Sequence, residues 1–196
     1  RVANPCSEAI AGFEDVKPPY KLQIDWAALK AEAPELVAWI QIPGTNVNYP
    51  VVQHDDNDYY LRHLFQGGYN VGGCVFLDAR NSADFSSRHS ILYGHRMDDG
   101  SMFTNIQNYK KQSYYDAHPY GLLLTPDGNY VIEFFAGFVS SVDENSWKLS
   151  FKSDEDFGNW IAEQMEKSDF TASFTPSSSD RVLTLSTCSK SFSNAR

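Results

Sequence analysis

Three residues of this chain have types and spacing that suit covalent chemistry on a carbonyl. Cys188 ends the run "RVLTLSTC" (181–188), and Arg196 follows it by eight residues in "SKSFSNAR". A thiolate is a strong nucleophile, and a nearby guanidinium favours it over the thiol. The same planar fork can hold a carbonyl oxygen or the oxyanion formed from it. Alternation along the run puts Val182, Thr184, Ser186 and Cys188 on one face and Leu183, Leu185 and Thr187 on the other. The cysteine's face thus turns polar toward its end, whereas a structural thiol prefers apolar neighbours. A buried cysteine followed by a surface arginine is the competing reading of this local pattern.

A thiol nucleophile needs a proton partner, most often histidine. Of the five histidines, His54 and His63 flank a polar segment and His118 precedes a proline, so these three read as surface residues. His89 opens an apolar run and fits a buried or an exposed place. His95 differs, because "ILYGHRMDDG" (91–100) ends an apolar run in Gly-His and passes straight into a polar turn. Strand ends that feed loops are where rigid scaffolds present catalytic groups. Cys74, in "GGCVFLDA", reads as a small buried hydrophobe; nothing in the spacing pairs it with Cys6. With no Cys-x-x-Cys and no Cys/His pair at ligand spacing, a zinc site is not expected.

The elements that must position these residues are mostly β. Short runs of apolar and β-branched residues occur at 36–42, 47–53, 73–79, 89–95, 121–125, 130–140 and 181–188, with "PGTN", "GGYNVGG" and "TPDGN" as turns between some of them. Asp25 caps a helix that Pro34 closes. Surface helices are expected at 56–65 and 101–111, and a longer one at 153–168. In the last, Ser153 and Asp156 form a capping box, and Phe157, Trp160, Ile161 and Met165 share a face. Seven strands and few helices predict a small β-barrel with peripheral helices. The 196 residues suffice for one large domain, with residues 1–24 as an irregular lead-in. A net charge of −9 excludes a general nucleic-acid binder. No window approaches the roughly 18 apolar residues of a membrane span.

Read together, "ILYGHRMDDGSMF", "TLSTC" and the arginine after the cysteine resemble the sortases, cysteine transpeptidases of Gram-positive cell envelopes. "WIQIPGTNVNYPVVQHDDNDYYLRH", "GGCVFLDARNS" and the helix-bearing insertion before the cysteine strand are similar to class B members. The resemblance covers residues 25–196 and implies a catalytic domain built as a closed eight-stranded barrel. Seven strands are visible, and the eighth is expected beyond Arg196. Ala79 and Arg96 depart from the family's pattern.

By this resemblance His95 is the general acid/base, Cys188 the nucleophile and Arg196 the residue that positions substrate and stabilises the oxyanion. Ser186 contacts the sorting peptide, and Thr187 sits beside the nucleophile. The implied substrates are secreted surface proteins with a C-terminal sorting signal of Asn-Pro-x-Thr-x type, with a peptidoglycan-precursor amine as acceptor. The implied location is the extracellular face of the membrane, reached through an N-terminal anchor, and no cofactor or metal is expected. Alternatives are a pilin-polymerising sortase, another peptidoglycan-directed cysteine transpeptidase and a non-enzymatic surface β-barrel that binds a partner. The Ser-His-Gly-Cys word of L,D-transpeptidases is absent, and papain-like enzymes place Cys before His, the reverse of this order.

Overall fold

Apolar alternation needs a covered face, and the chain supplies one by wrapping its strands into a single sheet. The computed structural model describes residues 24–188 and 196. Its strands are β1 (Leu36–Gln41), β2 (Asn48–Val52), β3 (Val75–Leu77), β4 (His89–Tyr93), β5 (Tyr120–Thr125), β6 (Gly128–Glu133) and β7 (Val182–Ser186). They hydrogen-bond in the order β6-β5-β1-β2-β3-β4-β7 as a nearly closed barrel. The β2–β3 and β4–β7 pairs are parallel and the others antiparallel.

Each expected strand forms. "TPDGN" makes the β5–β6 hairpin, pairing Thr125 with Gly128 around Pro126 and Asp127. Ile40, Val51, Val75, Leu77, Leu92, Phe103 and Leu123 fill the interior. On the other side, Leu36, Val52, Tyr60, Cys74 and Phe76 pack with Trp26 and Leu29 of α1 (Trp26–Glu32). Asp25 caps that helix as expected, its carboxylate accepting from the Ala28 N–H at 3.0 Å. Cys74 is buried, and desolvation pushes its thiol up to about 11. That is a packing cysteine rather than a reactive one. Cys6, the lead-in and the strand expected after Arg196 fall outside the described residues.

Several elements differ from expectation. The helix expected at 56–65 is a single 3₁₀ turn, Tyr59–Leu61: the Asp56 side chain accepts from the N–H groups of Asp58 and Tyr59 at its start, but the backbone leaves the helical path at Arg62, with φ −138° and ψ 12°. Residues 101–111 give a 3₁₀ helix at Thr104–Lys110, followed by α2 (Gln112–Ala117), which local periodicity did not announce. The run at 130–140 stays in the β5 ladder only to Glu133. The long helix forms as α3 (Asp154–Glu166), with Ser153 accepting from the Asp156 N–H. Phe157, Trp160 and Ile161 are buried against Val182 of β7.

His89 ties α3's neighbourhood to the sheet. It is fully buried, its ring centroid 4.5 Å from that of Trp160. Nδ1 lies 2.8 Å from the Lys148 carbonyl and Nε2 2.8 Å from Thr184 Oγ1 on β7. The carbonyl can only accept, so Nδ1 carries the hydrogen and Nε2 accepts from the hydroxyl. Desolvation pushes this pKa from 6.5 down to about 4. As pH falls below 6.5 the unfolded chain takes up the proton first, so stability drops until about pH 4. The loss expected from this one group is about 3 kcal/mol. Urea unfolding at pH 7 and pH 4 measures it, and His89→Gln should remove that share of the difference.

Candidate active site

The parallel pairing of β4 with β7 sets the site. Tyr93 is level with Ser186, and the Gly94 N–H extends the contact by donating to the Ser186 carbonyl at 3.0 Å. His95 and Cys188 each lie two residues beyond that level on strands running the same way. They therefore leave the sheet at the same end, on neighbouring strands. Gly94 makes this possible. The Phe103 ring is seated against it so closely that a Cβ would come within 2.7 Å of ring carbons.

The His95 ring is half-buried and held, its Nε2 2.8 Å from the Leu61 carbonyl oxygen. Because a carbonyl only accepts, Nε2 keeps its hydrogen and Nδ1 is left to give or take a proton. Cys188 is exposed, and its carbonyl accepts from Gln107 Nε2 at 2.6 Å. Arg196 pairs with the chain after β6. Its N–H donates to the Ser140 carbonyl at 2.8 Å, and its carbonyl accepts from the Ser140 N–H at 2.9 Å.

Arg196, Ser186 and Thr187 line one cavity of about 250 Å³, walled by β6, the chain after it, β7 and α3. His95 and Cys188 are not among its lining residues, so the cavity adjoins the strand end rather than enclosing it. The Ser186 and Thr187 hydroxyls are buried, 3% and 6% exposed, and neither has a hydrogen-bond partner among the described residues. Buried hydroxyls of this kind carry a desolvation cost that a polar ligand can offset.

The β4–β7 register thus brings His95, Ser186, Thr187 and Cys188 to one end of the sheet, while Arg196 pairs with Ser140 and shares a cavity with Ser186 and Thr187. The face alternation read along β7 also holds: Thr184 meets His89, while Leu183 and Leu185 pack on the interior. His54, His63 and His118 are half-buried rather than surface-exposed. His54 stacks on Tyr59, and the other two have ring nitrogens against backbone carbonyls. Leu61 and Gln107 were not found by sequence reasoning. Each acts on a residue far away in the chain, and no local pattern marks such a contact. Among the described residues no group of three or more His, Cys, Asp or Glu is placed to hold a metal ion, and no helix is long and apolar enough to cross a membrane.

Known proteins resemble the chain along most of its length. A sortase-domain family model matches residues 40–196. Sortase B of Listeria monocytogenes is 34% identical over 154 residues, which is 79% of this chain, while the chain spans 63% of that relative's length. The Clostridium perfringens sortase B structure superposes with a TM-score of 0.82 at 34% identity, covering 87% of this chain and 94% of that one. A Staphylococcus aureus sortase B–substrate complex gives 0.80 at 31% identity, covering 85% and 77%. On the match of sequence, fold and strand-end geometry together, the chain belongs to the sortase family, on its class B branch.

Proposed function

We propose that this protein is a cysteine transpeptidase that cleaves a C-terminal sorting signal after threonine and passes the new acyl group to a peptidoglycan-precursor amine. The observation that supports this reading is the β4–β7 register, by which His95 and Cys188 follow the same end of two neighbouring strands. The Cys188 thiolate attacks the threonine carbonyl and forms a C–S bond. Arg196, with backbone donors, stabilises the tetrahedral oxyanion. His95, as imidazolium, gives the Nδ1 proton to the departing amine as the C–N bond breaks. The acceptor amine then attacks the thioester, His95 takes its proton, and the thiolate leaves.

The hydroxyls of Ser186 and Thr187 suit a peptide's polar groups, since both are buried and have no partner among the described residues. The substrate is a secreted surface protein with an Asn-Pro-x-Thr-x type signal, as the class B resemblance implies. The enzyme works at the extracellular face of the membrane, held by an N-terminal anchor.

Incubation with an Asn-Pro-x-Thr-x peptide followed by intact-protein mass spectrometry tests the proposal. The expected result is a mass gain equal to the acyl fragment ending in threonine. A folded protein left unmodified by several such peptides would overturn it.

A further inference from the structure

The chemistry requires His95 and Cys188 to keep a fixed separation after both of their strands have ended. The last paired β7 residue is Ser186, and Cys188 stands exposed beyond it. One short segment touches both residues. The Phe103 N–H donates to the His95 carbonyl at 2.9 Å, and four residues on Gln107 Nε2 donates to the Cys188 carbonyl at 2.6 Å.

That segment is anchored along its length. Phe103 is fully buried against Gly94, and Thr104 Oγ1 accepts from the Met97 N–H at 2.9 Å. Tyr109, farther along the same 3₁₀ helix, is buried with its hydroxyl donating to the His118 carbonyl at 2.6 Å. A 3₁₀ helix rises about 2 Å per residue, so residues 103–107 form a strut of roughly 8 Å with one end on the histidine and the other on the cysteine. Glutamine suits the cysteine end, because its amide reaches the carbonyl and brings no charge near the thiolate.

We propose that Gln107 is a positioning residue for the nucleophile, and that the 103–107 segment is the gauge setting Cys188 against His95. The proposal rests on the reading of those two residues as the catalytic pair. Gln107→Met removes the donor while keeping the length of the side chain. With the Cys188 carbonyl released, kcat for thioacyl formation should fall on the order of 10- to 100-fold, as small misplacements of reacting groups do. KM should stay within about twofold, because the lost contact is to the enzyme's own backbone and not to substrate. The rate of Cys188 alkylation by iodoacetamide at pH 7 should fall as well. Gln107→Asn keeps a neutral amide donor on a side chain one methylene shorter and should recover part of both losses, and it also serves if the methionine variant folds poorly.

Wild-type kcat and alkylation in the methionine variant would overturn the proposal. A loss confined to KM would overturn it too, assigning Gln107 to substrate contact. The alkylation arm uses no sorting peptide. A wild-type protein that forms no adduct would therefore count against the transpeptidase reading and leave the gauge to be decided on the thiol.

Discussion

Cys188→Ala should lower thioacyl formation by at least about 10⁴-fold, to background, because loss of a nucleophile removes the covalent route and other groups do not replace it. The two hydroxyls that precede it, Ser186 and Thr187, are buried rather than presented at the strand end. The fold should not notice the change. The cysteine side chain is exposed and outside the apolar clusters, so stability should move by about 0.5 kcal/mol or less. Adduct mass and thermal unfolding measured on one preparation separate the two effects. An adduct in the alanine variant would remove Cys188 from the mechanism.

His95→Gln should reduce the same reaction about 10²- to 10⁴-fold, the usual contribution of one positioned acid or base. Glutamine can still donate toward the Leu61 carbonyl that now holds Nε2, so the local hydrogen bond need not be lost. What disappears is a group that changes charge during the cycle. The deficit should therefore lie in kcat, with KM little changed. Added imidazole should restore part of the rate in His95→Ala, where the ring's space is open. Single-turnover kinetics with the sorting peptide decide the matter. Full activity in the glutamine variant would assign the proton transfers elsewhere.

Much of this arrangement is legible in the amino-acid sequence. Strands β1 to β7 follow from period-two runs and turn residues. α3 follows from Ser153 and from the face shared by Phe157, Trp160 and Ile161. Both signals are local, and both bury a face. His95 stands out for a related reason, since Gly94 needs its bare Cα for the Phe103 ring and leaves Gly-His in the sequence. The features that composition and spacing do not reveal share a cause as well. The run at 56–65 has helical composition, yet its backbone leaves the helical path at Arg62 after one turn. Gln107 and Leu61 owe their roles to partners far away in sequence, which only the closed sheet brings near. Nor does composition say that His89 is buried, because its place depends on Lys148, Trp160 and Thr184 meeting around it.

The β4–β7 ladder also bears on the order of folding. His89 and Thr184 are 95 residues apart in the chain, yet their strands pair directly. The β1–β2 and β5–β6 hairpins close over short loops. Long loops are entropically slow to close and short ones fast. The hairpins can therefore assemble early, whereas β7 docks beside β4 only after a wide excursion of chain has been gathered in. A half-folded molecule holds hairpins but no paired His95 and Cys188. On the proposed mechanism, the Cys188 thiol gains its proton partner only when β7 pairs with β4.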